Sequence, residues 1–159
     1  MASNTSESTD KIEPIATPCL CAALRQASRA VTRLYDHELR ESGLRTTQHA
    51  VLRMLSRVGE VRKGDLAEMA SLDETTLTRS LRPLEANGWV TISPGADRRE
   101  KLLAITDAGK KKLEEARPAW TRAQKRMQRI LPAETRDLIF TELLNVTKAV
   151  SNIPLGEKS

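Results

Sequence analysis

The spacing of apolar residues changes abruptly at Gly88, and this change limits the folds that the chain can adopt. Upstream, apolar residues recur at steps of three and four, which is the spacing of one face of an α-helix. Downstream, residues 89–93 alternate as in a strand, and residues 102–105 supply an antiparallel partner across a polar turn. A hairpin of so few residues is not stable alone. The sequence therefore predicts a mainly α fold with a small β-hairpin (α+β) that packs on helices.

Two helices joined by a tight turn come immediately before the hairpin. A short helix over residues 63–70 is followed by a turn at residues 71–73 and by a helix over residues 74–86, which Asp73 caps. The predicted inner faces comprise Leu66, Ala67 and either Met69 or Ala70 in the first helix, and Leu77, Leu81 and Leu84 in the second. With a preceding helix over residues 47–57, capped by Thr46 or Thr47, this order predicts a winged helix-turn-helix over residues 45–106.

The outer face of the helix over residues 74–86 is polar and basic. Its residues are Thr75, Thr76, Thr78, Arg79 and Arg82. A helix fits the major groove of double-stranded DNA, where threonine can contact a phosphate or a thymine methyl group and arginine can bind guanine through two hydrogen bonds. At the hairpin tip, Arg98 and Arg99 are placed to enter the adjacent minor groove. We expect these side chains to contact DNA, and Asp97 to hold a tip arginine through a charge-assisted hydrogen bond.

Helical segments flank this domain on both sides. Residues 18–44 carry one apolar stripe, residues 107–152 carry two helices separated at Pro132, and residues 1–17 and 153–159 are predicted to be tails. The spacing from Leu113 to Ile130 is heptad-like and favours a partner helix, in a second subunit or in the same one. The predicted seam residues are Leu20, Leu24, Leu113, Trp120, Met127, Ile139, Leu143 and Val146.

Composition and charge exclude several classes of function. The chain has 26 Lys and Arg against 21 Asp and Glu, and its net charge of +5 permits a polyanionic partner without requiring one. It has no apolar run of about 20 residues, so we expect no membrane-spanning helix. It has no Gly-rich phosphate loop, nucleophile elbow or metal-ligand cluster, so we expect neither an enzyme nor a cofactor or metal site. Cys19 and Cys21 form no disulfide framework and indicate the reducing cytoplasm.

Three motifs match one family of proteins. A recognition-helix motif falls in residues 74–90, a wing motif Asp-x-Arg falls at Asp97 and Arg99, and a hydrophobic-Thr-x-x-Gly motif begins at Ile105. The residues matched in the first and third motifs are Thr75, Thr76, Thr78, Arg79, Leu84, Glu85, Gly88, Ile105, Thr106 and Gly109. On these motifs, residues 20–150 resemble the MarR family of bacterial transcription regulators.

The resemblance implies a homodimer whose first and last two helices interlock and present two DNA-binding modules to a pseudo-palindromic site. Members of the family usually repress, and they release DNA when a small ligand or an oxidant changes the separation of the two modules. The family's pocket for phenolic or other aromatic acids implies Arg25, Tyr35, His49 and Trp120 as lining residues in this chain.

Residues 20–29 are similar to the first helix of the family's organic-hydroperoxide-sensing branch, in which one cysteine is oxidised. Cys21 occupies that position, Tyr35 matches a tyrosine that bonds to the cysteine there, and Arg25 replaces a second tyrosine. Cys21 beside Arg25 is therefore a redox candidate for a peroxide-sensing repressor. The other interpretation is that the cysteines are small apolar side chains in a dimer seam. A further alternative is a winged-helix protein interaction module that does not bind DNA.

Overall fold

The computed structural model describes residues 19–97, 100–151 and 153. The helices are α1 (Leu20–Leu39), a 3-10 turn (Arg40–Ser42), α2 (Thr46–Val58), α3 (Lys63–Met69), α4 (Glu74–Ala86), α5 (Asp107–Ile130) and α6 (Ala133–Ser151). The strands are β1 (Val61–Arg62), β2 (Val90–Pro94) and β3 (Lys101–Ile105). The predicted α+β class, mainly helical with a small hairpin, is confirmed. The predicted tail over residues 1–17 and residues 154–159 of the other tail lie outside the described residues.

The sheet has three strands in the order β1-β3-β2, and both pairs are antiparallel. β2 and β3 form the predicted hairpin, with Val90 opposite Ile105. β1 was not predicted. It is only two residues long, and it is a strand because Val61 pairs with Leu103. A strand this short has no alternating pattern by which the local sequence could predict it. This strand ties the start of α3 to the hairpin.

The hydrophobic core lies where α2, α3 and α4 meet the sheet and α5. The fully buried large side chains are Leu39, Val51, Leu52, Leu55, Leu66, Leu77, Leu84, Val90 and Leu103. The predicted inner face of α4 is confirmed, since Leu81 is also buried. The sequence left open whether Met69 or Ala70 completes the inner face of α3. Met69 is exposed and Ala70 is half-buried, so Ala70 is the inner residue.

The start of α2 differs from the prediction that Thr46 or Thr47 caps it. The N-cap residue is Arg45, and its backbone N–H donates to Oε1 of Gln48 at 2.8 Å. The backbone N–H and the hydroxyl of Thr46 both donate to Oδ1 of Asp36 on α1, each at 2.7 Å. The carboxylate that completes this helix start thus comes from another helix, and it fixes α1 against α2.

A cluster of hydrogen bonds joins α4, the hairpin and α5. Thr106 is the N-cap of α5, as the sequence predicts, because its hydroxyl oxygen accepts from the N–H of Gly109 at 3.0 Å. The same hydroxyl donates to the carbonyl of Gly88 at 2.7 Å, and the N–H of Thr106 donates to the carbonyl of Trp89 at 3.0 Å. The hydrophobic-Thr-x-x-Gly motif is therefore the joint that orients the hairpin relative to α4.

Ion pairs join α5 to α1. The carboxylate of Glu38 lies 2.9 Å from Nη1 of Arg126 and 3.5 Å from Nε of Arg122. These two arginines hold the pKa of Glu38 below its usual value, chiefly through the hydrogen bond from Arg126. None of the described helices is long and apolar enough to cross a membrane.

Candidate nucleic-acid interface

The first turn of α4 is fixed by Asp73, as predicted. Its Oδ1 accepts from the backbone N–H of Thr76 at 2.8 Å, and its Oδ2 accepts from the Thr76 hydroxyl at 2.6 Å. These hydrogen bonds favour the charged carboxylate and lower the pKa of Asp73. Thr76 is half-buried and its hydroxyl proton is engaged in this cap, so it supports the helix start and leaves its oxygen lone pairs as its means of contacting a ligand.

The remaining predicted contact residues of α4 share one outer face. Thr75, Arg79 and Arg82 are exposed and Thr78 is half-buried. The Thr78 hydroxyl donates to the carbonyl of Glu74 at 2.6 Å, which orients its oxygen as an acceptor. Thr75, Thr78, Arg79 and Arg82 line a shallow concavity of about 390 Å³ together with Glu74. Within the described part of the chain, neither arginine has an ion-pair partner, so both guanidinium groups are available to an anion.

Lys63 is a charged neighbour of this face that the sequence did not reveal. Its Nζ lies 4.0 Å from Oε2 of Glu74. The ammonium group offsets the carboxylate that would otherwise repel a phosphate near the start of α4. Lys63 begins α3, so it reaches α4 only because the helix-turn-helix folds back on itself.

The hairpin tip is closed by backbone hydrogen bonds. The N–H of Glu100 donates to the carbonyl of Asp97 at 2.9 Å, and the N–H of Gly95 donates to the carbonyl of Glu100 at 3.0 Å. The Glu100 carboxylate also lies 3.3 Å from Nη1 of Arg62, which links the tip to β1. The predicted minor-groove residues Arg98 and Arg99 lie outside the described residues.

Three of the four predicted pocket residues come together at the junction of α1, α2 and α5. The Trp120 ring stacks on His49, with centroids 4.2 Å apart, and lies 4.9 Å from the Tyr35 ring. The guanidinium carbon of Arg53 is 5.8 Å from the Trp120 ring. Arg53 was not predicted here, since an exposed arginine in the middle of α2 carries no local signal. Arg25 precedes Tyr35 by ten residues on α1, about 15 Å along the axis, and does not join this cluster.

His49 is buried, with 3% of its surface exposed, and its Nδ1 has no hydrogen-bond partner among the described residues. Burial lowers the pKa of His49 to about 4, with a smaller contribution from the positive charge of Arg53. The imidazole is therefore neutral at physiological pH. Tyr35 is half-buried, and the burial of its own hydroxyl raises its pKa above the ordinary value.

The redox candidate Cys21 is exposed, and so is Cys19. Nη2 of Arg25 lies 3.6 Å from Sγ of Cys21, one helical turn away. Tyr35 follows Cys21 by 14 residues on α1, which is about 21 Å along the helix axis. A bond between Tyr35 and Cys21 of the kind that the resemblance implies therefore requires two different subunits.

The predicted seam residues divide into two groups. Leu113 and Trp120 pack against the core of their own chain, and Met127 is half-buried. The others lie at the surface of the single chain or are only partly covered: Leu20, Leu24, Ile139, Leu143 and Val146.

A polar, arginine-bearing helix, held by a short preceding helix and followed by a β-hairpin, defines the winged helix-turn-helix class of proteins. The family model described as MarR family matches residues 44–101, from two residues before α2 to the first residue of β3. YwoH of Bacillus subtilis (strain 168), described as an uncharacterised HTH-type transcriptional regulator, is 33% identical over 92 residues, which are 58% of this chain and 67% of YwoH. The chain belongs to the MarR family of transcriptional regulators.

Solved structures share the fold over most of the chain. The M. tuberculosis transcriptional regulator MosR in complex with DNA is 29% identical, with a TM-score of 0.72 over 86% of this chain and 100% of that chain. Bordetella bronchiseptica BpsR, whose DNA binding is regulated by 6-hydroxynicotinic acid, is 23% identical, with a TM-score of 0.71 over 80% of this chain and 98% of that chain. At that identity the likeness to BpsR shows the fold alone.

Proposed function

We propose that the protein is a homodimeric, sequence-specific regulator that acts in the cytoplasm and binds double-stranded DNA at a pseudo-palindromic operator. It acts as a repressor, and a small aromatic or phenolic ligand releases it. The observation that carries the proposal is the outer face of α4, where Thr75, Arg79 and Arg82 are exposed on a helix whose start is fixed by Asp73.

DNA binding is supported by the chemistry of this face. Arg79 and Arg82 offer two planar donor groups for guanine edges or phosphates, and Thr75 offers a hydroxyl and a methyl group. Lys63 stands beside Glu74, so the start of α4 is not purely acidic. MosR, which has the highest identity of the structures compared above, is itself bound to DNA.

The homodimer is supported by α6. None of its described residues is buried, and Leu138, Phe140 and Leu144 are each more than 60% exposed, at 61%, 64% and 61%. Leu20 of α1 is 60% exposed as well. Apolar side chains concentrated on terminal helices mark an interaction surface, and a second copy supplies the same apolar helices as its complement.

We propose that the effector binds at the aromatic cluster of Tyr35, His49 and Trp120. These rings offer stacking partners, and Arg53 beside Trp120 offers a cation for an acidic substituent. The cluster joins α1 and α5, the proposed dimer helices, to α2 of the DNA-binding domain. A ligand that separates these elements would change the spacing of the two modules.

The DNA-binding prediction concerns the two arginines of α4. We expect Arg79→Ala and Arg82→Ala each to weaken binding to an operator duplex by about 10- to 100-fold, because each loses the hydrogen bonds of one guanidinium group to a base edge. The operator is first located by footprinting the DNA that flanks the protein's own gene, and affinity is then measured by fluorescence anisotropy at several salt concentrations.

Lys148→Ala is the matched control, since it removes an exposed cation from the last turn of α6 and leaves α4 unchanged. It should bind DNA as the wild type does. Wild-type protein that leaves duplexes unbound at low ionic strength would contradict the proposal and favour the protein interaction module. Equal affinities for wild type and both arginine variants would exclude α4 as the recognition helix.

The dimer prediction concerns the apolar face of α6. We expect the double variant Phe140→Glu/Leu144→Glu to be monomeric in sedimentation equilibrium at concentrations where the wild type is dimeric, because four carboxylates would be desolvated in the interface. Asp137→Ala, an exposed polar position on the same helix, serves as the control and should remain dimeric. A wild type that sediments as a monomer would contradict the homodimer.

A further inference from the structure

A second concavity, of about 590 Å³, lies where the end of α1, the 3-10 turn and the start of α2 meet. It shares no lining residue with the concavity on α4. Its ionisable residues are Arg33, Asp36, His37, Arg40 and Arg45. Three guanidinium groups and one imidazole thus surround a single carboxylate.

That carboxylate is already engaged. Oδ1 of Asp36 accepts both hydrogen bonds from Thr46 at the start of α2, and Oδ2 lies 3.5 Å from Nη1 of Arg45. Asp36 is also only partly exposed, with 25% of its side-chain surface accessible. It therefore neutralises one positive charge at most, and that charge is on Arg45.

The other two arginines lie on one face of α1, since Arg33, His37 and Arg40 are spaced i, i+4 and i+7. Nη2 of Arg40 lies 3.0 Å from Nδ1 of His37. A guanidinium group only donates, so Nδ1 of His37 is the acceptor in this contact. Arg33 has no ion-pair partner in the described part of the chain. Two guanidinium groups are therefore directed at the concavity without a carboxylate to neutralise them.

We propose that this concavity binds a phosphate group. Guanidinium groups match the geometry of a phosphate through paired hydrogen bonds, and a mainly charged lining does not suit an apolar aromatic ring. The phosphate belongs either to the DNA backbone beside the operator or to a free phosphate compound. Binding of a DNA backbone phosphate rests on the proposed function, whereas binding of a free phosphate compound does not.

The test uses the full-length double variant Arg33→Gln/Arg40→Gln. Both side chains are exposed, so the fold is retained. The control is Arg57→Gln, an exposed arginine on α2 that follows Arg45 by 12 residues, about 18 Å along the axis. In the first experiment, inorganic phosphate replaces chloride at equal ionic strength, and the thermal midpoint is recorded. In the second, DNA affinity is measured against salt concentration.

If the site takes free phosphate, the midpoint of the wild type and of Arg57→Gln rises about 2–4 °C more than that of the double variant, at a phosphate concentration several times its Kd. The comparison with the variant removes the general stabilising effect of phosphate salts. If the site takes the DNA backbone, the slope of log affinity against log salt falls by about 1–2 in the double variant, equally for operator and unrelated duplexes.

Either difference supports the phosphate site and identifies its source. Identical behaviour of the wild type and the double variant in both experiments overturns it. A wild type that binds no DNA contradicts the proposed function, while the phosphate experiment still tests the site.

Discussion

Replacement of Gly109 by alanine is expected to destabilise the protein by about 2–3 kcal/mol. A Cβ at this position would overlap the carbonyl oxygen of Trp89 and lie 2.8 Å from Cγ1 of Ile105. The carbonyl cannot withdraw freely, because it accepts the N–H of Thr106 at 3.0 Å. Because the overlap is with backbone atoms rather than with a flexible side chain, the cost lies at the upper end of overpacking, about 3 kcal/mol or more. The higher helix propensity of alanine returns at most about 1 kcal/mol.

The effect of Gly109→Ala is measured by thermal unfolding, where a loss of this size lowers the midpoint by about 5–10 °C. Gly64→Ala is the matched control. Gly64 also lies in the first turn of a helix, but a Cβ there meets no atom within 4 Å, so its midpoint should stay the same or rise. A Gly109→Ala protein as stable as the wild type would show that the joint between Trp89 and α5 is not tightly packed.

Acidification from pH 6.5 to pH 4 is expected to remove about 3 kcal/mol of stability through His49. Its pKa is about 4 in the folded protein and 6.5 as the ordinary value. Between these values the unfolded chain binds a proton that the folded chain does not, so the free energy of unfolding falls as pH falls. The contribution is fully present above pH 6.5 and lost below pH 4, at about 1.4 kcal/mol per pH unit.

The measurement is the free energy of unfolding by urea across this range. His49→Phe retains a ring against Trp120 and removes the titrating group, so its stability should change little between pH 6.5 and pH 4.5. His37→Gln, which alters the exposed histidine, should follow the wild type. The carboxylates of Glu38 and Asp73, whose pKa values are lowered, add a separate loss only below about pH 4.5. A wild-type profile that is flat down to pH 4.5 would contradict the burial of a neutral His49.

The recognition helix could be predicted from the sequence because its signals are local. The side chain of Asp73 accepts a hydrogen bond from the backbone N–H of Thr76, only three residues later. Just after the end of α4, Gly88 has a φ of +69°, a conformation that glycine adopts without strain. Between them, the spacing of Leu77, Leu81 and Leu84 places one face in the core. The outward direction of Arg79 and Arg82 follows from the same spacing.

Other features depended on residues far apart in the chain. β1 exists only through its pairing with β3, and the start of α2 is completed by Asp36 of α1. The aromatic cluster draws Tyr35, His49 and Trp120 from three helices, and it includes Arg53 but not Arg25. A pattern of residue types along one segment does not predict which distant segment will pack against it.

The sequence by itself determined the order of the long helices and of the two hairpin strands, the ends of α4 and α5, and which side of α4 faces outward. Each of these is set by backbone preferences and side-chain hydrogen bonds that act within about four residues. The tertiary structure alone decided that Lys63 stands beside Glu74, that His49 is buried against Trp120, and that Arg33 and Arg40 border an uncompensated basic concavity. Those contacts depend on how separately formed helices pack, where burial and charge are set by whichever surfaces meet.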